Sequence, residues 1–146
     1  MKELLDDVKG LLDANPILAD IQKGGGVIVL ADIAQFPHQQ KTPCIALVDG
    51  DGDFIRLSSK KRRAIFSLEV HVVVRHFEKT GAIVGTAYDP GLEELAKKVR
   101  VVLDMDRLSG KYMRAFLRRD GKPVLLTAGN IFLLEKLLSF EYRRIE

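Results

Sequence analysis

The three histidines are the side chains of this sequence best suited to proton transfer or metal binding. His71 and His76 lie five residues apart in a strand-like segment, so they should point to opposite faces of a sheet. His38 lies far away, in a predicted loop. Because the three do not converge from one strand, the sequence predicts no histidine-centred catalysis and no metal site. His71 is expected to be a half-exposed strand residue beside Glu69 and Val73.

The segment DGDGD at residues 49–53 resembles the start of an EF-hand calcium loop. That loop needs glycine at its sixth position, glutamate at its twelfth and a helix after it. Phe54 and Lys60 stand at those positions, and no helical pattern follows. Asp and Gly also supply the positive φ of tight turns, so the sequence favours a hairpin turn over a calcium site.

The other reactive residues lack the spacing of a catalytic site. Cys44 is the only cysteine and precedes an apolar run, which indicates a buried thiol rather than a nucleophile. The glycines at 24–26 precede a strand, whereas phosphate-binding loops follow one, so they predict a flexible joint. Glu93 and Glu94 are adjacent in a helical pattern and point in different directions. The sequence therefore predicts no enzyme and no cofactor.

Length and composition fit a single domain over residues 1–146. The chain is 47% hydrophobic and 29% charged, enough to bury a core without a metal or disulfide. The net charge of +3 is too mild to argue for nucleic acid, and the absence of tryptophan argues against a base-stacking platform. No apolar run reaches the roughly 20 residues of a membrane helix. The acidic residues among the N-terminal leucines do not fit a signal peptide, so we expect a cytoplasmic protein.

The longest predicted element is a strand at residues 62–77, where apolar residues alternate with mixed ones. One face carries only apolar side chains, which are Ala64, Phe66, Leu68, Val70, Val72 and Val74. Typical strands have about 5–6 residues. We therefore expect this strand to outrun the core of its own domain and to be available to a neighbouring subunit.

Two amphipathic helices are predicted on either side of the strands. Residues 2–14 form the first, which ends before Pro16 and leaves one short further turn at 17–21. The second has Asp89 at its N-cap and Pro90 at its first position. Its predicted buried stripe comprises Leu92, Leu95, Val99, Val102 and Leu103.

Shorter strands complete the predicted fold. They are placed at residues 27–34, 44–48 and 54–57, at 112–118 and 123–127 as a hairpin around Asp120-Gly121, and in the second half of 132–145. The strand at 54–57 either pairs back on 44–48 or continues it. Because strands cluster between two helices, we predict the α+β class. Its mainly antiparallel sheet has a long central strand, and the two helices pack on one face.

The strongest run of like charge, called the basic segment below, is Lys60, Lys61, Arg62 and Arg63. Such a run either keeps a strand entrance solvated or forms a surface for phosphates or an acidic partner. A second basic group surrounds the predicted hairpin and comprises Arg114, Arg118, Arg119 and Lys122. The sequence leaves open whether the two groups are adjacent in space.

In the order of its segments, the chain resembles the tail-terminator and tail-completion proteins of long-tailed bacteriophages and their prophage relatives. The matching segments are the N-terminal helix, a short strand, the strand after Thr42-Pro43, the long strand at 62–77, the helix opening with Asp89-Pro90 and a C-terminal strand ending at 140–143. The resemblance is one of pattern across nearly the whole chain and contains no diagnostic motif.

This resemblance implies a ring, commonly hexameric, that caps the tail tube and joins the phage tail to the head. It implies no catalysis and no cofactor. The partners would be further copies of the chain, the tail-tube protein and head-connector proteins. The protein would be found in the host cytoplasm during assembly and then in the virion tail. The family offers no fixed residue signature, so no site residue is carried over.

A ring needs heterologous contacts, in which one surface patch meets a different patch on the next subunit. We place that interface at or near Lys60, Lys61, Arg62, Arg63, Val72, Arg75, Arg118 and Arg119, and expect Val72→Lys to abolish rings. The alternative function is a small module that binds nucleic acid or another anionic ligand through the basic segment. An enzyme would need converging polar groups, which the sequence does not offer at recognisable spacing.

Overall fold

A computed structural model describes residues 1–58, 60–75, 91–104, 106–113, 115–128 and 131–145. In these residues, three helices pack on one face of a mixed, mostly antiparallel sheet, which confirms the predicted α+β class. The helices are α1 (Lys2–Ala14), α2 (Ala19–Lys23) and α3 (Leu92–Leu103). The strands are β1 (Gly26–Leu30), β2 (Cys44–Arg56), β3 (Arg62–Arg75), β4 (Ala115–Asp120), β5 (Val124–Ala128) and β6 (Ile131–Ile145). None of the described helices is long and apolar enough to cross a membrane.

The long strand β3 lies inside the sheet, whose strand order is β1-β2-β3-β6-β4, with β5 also on β6. Its alternating apolar residues face the helices and are buried, as predicted. The predicted availability to a neighbour is wrong for the described part of β3. It pairs antiparallel with β2 along one edge and with β6 along the other. Residues 76–77 of the predicted strand lie outside the described residues.

The acidic segment at residues 49–53 does not form the predicted hairpin turn. β2 continues through it with a register shift between Asp49 and Gly52, a β-bulge opposite β3. The Asp49 carboxylate accepts a hydrogen bond from the Asp51 backbone N–H at 2.8 Å, and Asp51 has a φ of 80°. This local turn chemistry is satisfied within a bulge because β3 is long enough to pair on both sides of it.

The hairpin predicted around Asp120-Gly121 is also wrong. β4 and β5 do not pair with each other; both pair antiparallel with β6 and follow one another along its outer edge. The Gly121 N–H donates to the Leu137 carbonyl at 2.8 Å and keeps the connecting residues on β6. β6 is a strand over its whole length, so the prediction of a strand in its second half alone was too short.

The two predicted helices are present, and the residues predicted to be buried on α3 are buried. α1 ends at Ala14, and the Asn15 side chain then accepts a hydrogen bond from Ile17 N–H in a short 3-10 turn. The buried stripe of α3 is confirmed and also includes Ala96. Its N-cap is Gly91 rather than Asp89, which lies outside the described residues together with Pro90. The strand predicted at 27–34 ends at Leu30, because a 3-10 turn follows at Ile33–Gln35.

The predicted glycine joint is a site of close backbone packing. The Gly25 N–H donates to the Pro43 carbonyl at 2.9 Å, and the Gln40 amide donates to the Gly25 carbonyl at 2.9 Å. A Cβ added to Gly25 would lie 2.0 Å from the Lys41 carbonyl oxygen. Glycine is needed here because two backbone segments touch, rather than for a hinge.

Candidate interaction surfaces

The structure separates the residues predicted to form one interface. Lys60 and Lys61 are exposed in the β2–β3 connection, and Arg62 and Arg63 begin β3. Arg75 is exposed at the opposite end of β3, roughly 40 Å away at about 3.3 Å per residue. A single subunit surface therefore does not contain both the basic segment and Arg75.

Val72 is unsuited to the predicted interface role. Its side chain is fully buried between the sheet and the helices, on the face of β3 that forms the core. Val72→Lys would place an unpaired charge in that core, so the subunit would lose its fold before any ring contact was tested. The error arose because the strand was expected to be longer than the core, whereas helices and neighbouring strands cover it.

The two basic groups are not adjacent. β6 lies between β3 and β4, and both groups can be located by their register partners on it. Arg63 pairs with Ile145, and Arg119 pairs with Ser139. These two partners are roughly 20 Å apart along β6 at about 3.3 Å per residue. The two basic groups therefore do not form one continuous basic surface. Arg114 lies outside the described residues.

The basic group on β4 is partly neutralised by Glu141. Arg118 Nε donates to the Glu141 carboxylate at 2.9 Å, and Arg143 Nη2 donates to it at 2.9 Å. Both guanidinium groups lie over the Phe116 ring, at 5.5 and 5.4 Å from its centroid. Burial would raise the pKa of Glu141, but the hydrogen bonds from the two arginines outweigh it, so the pKa is lowered. Glu141 is therefore held as the anionic centre of this cluster.

His71 forms a buried ionic group that sequence reasoning missed. It lies on the sheet face away from the helices, with Nδ1 2.6 Å from Glu135 Oε2 and Nε2 3.0 Å from Glu69 Oε1. Its side chain is only 3% exposed, so the predicted half-exposed position is wrong. Burial lowers the pKa of His71, but the hydrogen bonds and charges of Glu135 and Glu69 more than offset this, so the pKa is raised. Both ring nitrogens are occupied by carboxylates, which leaves neither for a substrate or metal.

Packing of the β1–β2 connection explains why this face is buried near His71. Phe36 from that connection packs with Cys44, Ala46, Val73 and Leu133 in a second, smaller core. Ala46 is the register partner of His71 on β2. The prediction of a buried thiol is confirmed, and burial raises the pKa of Cys44 to about 12. A thiol with that pKa is not a nucleophile near neutral pH.

A second ionic cluster lies in a cleft of about 550 Å³ on the helix side of the sheet. Lys136 Nζ lies 2.8 Å from Glu93 Oε2 and 2.9 Å from Asp120 Oδ1, and Arg100 also donates to Asp120. Burial lowers the pKa of Lys136, but its hydrogen bonds to the two carboxylates outweigh this, so the pKa is raised. The lysine is therefore a paired cation and not a neutral nucleophile. Across the described ranges, no three His, Cys, Asp or Glu side chains are grouped to hold a metal ion.

The strongest surface feature is the β5–β6 hairpin. Val124, Leu125 and Phe132 are 49%, 56% and 53% exposed, although all three are large and apolar. Leu125 pairs with Leu134, so it shares the helix side of the sheet with Phe132, whereas Val124 pairs with Glu135 on the other side. In the part of the chain that the structure describes, no strand pairs with the outer edge of β5. An exposed apolar edge strand of this kind is typical of a surface that another protein covers.

Comparison with known proteins identifies no family, because no protein-family model matches the chain and no curated protein matches it in sequence. The geometry of the surfaces described above therefore carries the functional argument.

Proposed function

We propose that the chain is a non-enzymatic subunit of a homo-oligomeric assembly. Its specific role is that of a tail-terminator or head–tail joining ring subunit, which caps the tail tube of a long-tailed phage or prophage. The observation that carries the proposal is the exposed apolar β5–β6 hairpin at an open edge of the sheet. The role in a phage tail rests on the resemblance in segment order.

The hairpin supports assembly because its apolar residues are exposed on both of its faces. Burial of such side chains against a partner is favourable by roughly 25 cal/mol per Å² of apolar surface. The outer backbone groups of β5 can also pair with a strand from another chain. A partner that covers this hairpin would therefore gain both apolar burial and backbone hydrogen bonds.

The ionic clusters support a non-enzymatic role. The nitrogens of His71 face two carboxylates, and the Lys136 ammonium is paired with Glu93 and Asp120. Each group is satisfied by other side chains of the same subunit, which is typical of ion pairs that fix the positions of strands. The anionic-ligand alternative is supported by the exposed Lys60 and Lys61, but the second basic group lies too far away to extend that surface.

The double variant Leu125→Ser/Phe132→Ser should shift the protein from a closed oligomer toward monomer, because it removes the apolar surface that a second copy would bury. The measurement is solution mass by light scattering across protein and salt concentration. The wild type is expected to form a closed oligomer, such as six subunits of 16.3 kDa.

Val101→Ser is the matched control, since Val101 is 62% exposed but lies on α3 rather than on the hairpin. It should leave the mass unchanged. A wild-type protein that stays monomeric at every concentration would contradict the proposal. Salt-sensitive DNA binding that is lost in Lys60→Gln/Lys61→Gln would favour the anionic-ligand alternative instead.

A further inference from the structure

In one half of the sheet, the outermost strand on each side has an open edge. Residues 49–56 of β2 pair with residues 62–68 of β3, which pair with the C-terminal part of β6, which pairs with β4. β1 covers only residues 44–48 of β2. Within the described ranges, no strand pairs with residues 49–56 of β2 or with β4 on their outer sides. This half of the sheet therefore has one open edge on each side of the subunit.

We infer that copies of this chain join edge to edge, with residues 49–56 of β2 in one copy beside β4 of the next copy. This inference rests on the proposed function as a homo-oligomer and adds a contact beside the β5–β6 hairpin, because β4 and β5 follow one another along the outer edge of β6. The contact is heterologous, because the two edges differ, and repeated contacts of this kind close into a ring when the rotation between copies permits.

Strand direction suits this contact. β2 is antiparallel to β3, β3 to β6 and β6 to β4, so β4 runs antiparallel to β2 within one subunit. A neighbour with the same orientation presents its β4 antiparallel to β2 of the first subunit. The sheet can thus continue from copy to copy in an antiparallel ladder.

Charge selects this pairing over the symmetric ones. Asp49 and Asp51 are exposed on the β2 edge, whereas Arg118 and Arg119 are exposed on the β4 edge. Two β2 edges would bring acidic side chains together, and two β4 edges would bring arginines together. On the β4 edge Asp120 already pairs with Lys136 and Arg100, and Arg118 pairs with Glu141. Arg119 is then the charge that meets the aspartates in the mixed pair, whereas like charges disfavour a two-fold dimer at either edge.

The β-bulges on both edges make the contact more selective. Register shifts occur between Asp49 and Gly52 on β2 and between Leu117 and Arg119 on β4. Bulges and edge charges generally prevent indiscriminate strand pairing. The longest regular segments of the two open edges are residues 52–56 of β2 and 115–117 of β4, so the contact between copies would use these segments.

The test uses two variants of the full chain that each carry one added cysteine, Leu57→Cys and Met113→Cys, treated with a short thiol crosslinker. Both replace exposed apolar residues beside the two edges and keep the charges of those edges. Cys44 is buried in both variants. We expect a crosslinked dimer mainly when the two variants are mixed, at several times the yield of either variant alone. A variant that carries both added cysteines should give a ladder of crosslinked products up to the closed ring.

The outcomes separate this inference from the proposed function. Crosslinking within a single variant alone would overturn it in favour of symmetric edge pairing. An oligomer by light scattering that gives no crosslink in the mixture would overturn it while the proposed function stands. A monomer under all conditions would overturn both.

A second measurement does not depend on new cysteines. Asp49→Asn/Asp51→Asn removes the acidic charges but keeps side chains that can accept the bulge hydrogen bond and tolerate a positive φ. We expect the dissociation constant between subunits to rise about tenfold or more. Asp6→Asn, an exposed change on α1, is the control and should leave that constant unchanged. Equal constants for both variants would overturn the charge argument.

Discussion

Glu135→Gln should lower the free energy of unfolding by about 1.5–3 kcal/mol near pH 5.5 and by clearly less on the alkaline side of the folded pKa of His71. Glu135 holds Nδ1 of the buried His71 at 2.6 Å. At the lower pH the imidazolium is charged, and the substitution removes a charge-assisted hydrogen bond. Once the pH has risen through the folded pKa, the ring is neutral, and glutamine then replaces a weaker hydrogen bond.

The sign follows from the raised pKa of His71. A group whose pKa is higher in the folded state binds its proton more tightly there, so the proton stabilises the fold. This stabilisation is fully present below the unfolded pKa of about 6.5 and is lost as the pH rises through the folded pKa. The wild type should therefore lose His71-dependent stability on the alkaline side of that window, and His71→Gln should flatten the profile.

Chemical denaturation at several pH values measures this effect. Glu94→Gln is the control, because the Glu94 side chain is 56% exposed on α3, and it should change stability by less than about 0.5 kcal/mol at each pH. Glu69→Gln should have an intermediate effect, since Glu69 is more exposed than Glu135. A loss for Glu135→Gln that stays equal across the whole pH series would contradict a protonated His71.

The sequence could predict what depends on local periodicity. Alternation at residues 64–74 correctly identified the buried face of β3, and helical spacing identified the buried stripe of α3. Both patterns arise because a strand repeats every two residues and a helix every 3.6. The α+β class followed from the order of these elements.

The predicted hairpin turns were wrong where pairing between distant strands outweighed the local turn preference. Asp-Gly pairs at residues 49–52 and at 120–121 are typical of hairpins, yet neither position reverses the chain into one. In each case a long partner strand, β3 or β6, pairs on both sides of the Asp-Gly segment. The sequence does not show that β3 and β6 pair on both sides of these segments, because the pairing residues are far apart in the chain.

The ionic cluster at His71 was not predicted, again because the residues that meet are far apart in the chain. Glu69 was visible as a neighbour on the same strand face, but Glu135 is separated from His71 by 64 positions. A similar limit applies to Lys136, whose position in β6 has the parity of buried residues, because the sequence does not show that it meets Glu93 and Asp120. A buried charged residue in an otherwise apolar strand pattern was the available signal that a partner existed.

Gly25→Ala should destabilise the protein by about 3–5 kcal/mol or prevent folding, the largest effect expected of a methyl group added at the glycines whose surroundings the structure describes. The added Cβ would lie 2.0 Å from the Lys41 carbonyl oxygen, far inside van der Waals contact, and the obstacle is backbone rather than a movable side chain. Relief would require the residue 36–43 connection to move away from the start of β1. That movement would break the hydrogen bonds between Gly25 and Pro43 and between Gly25 and Gln40.

Gly10→Ala provides a control of opposite sign. Gly10 lies within α1, and a Cβ added there meets nothing within 4 Å. Alanine in a helix interior is favoured over glycine, so this variant should gain about 0.5–1 kcal/mol. Thermal and chemical unfolding of both variants beside the wild type would compare them. A Gly25→Ala protein within about 0.5 kcal/mol of the wild type would restore the flexible joint that the sequence suggested, because only a mobile backbone could accept the methyl group at so low a cost.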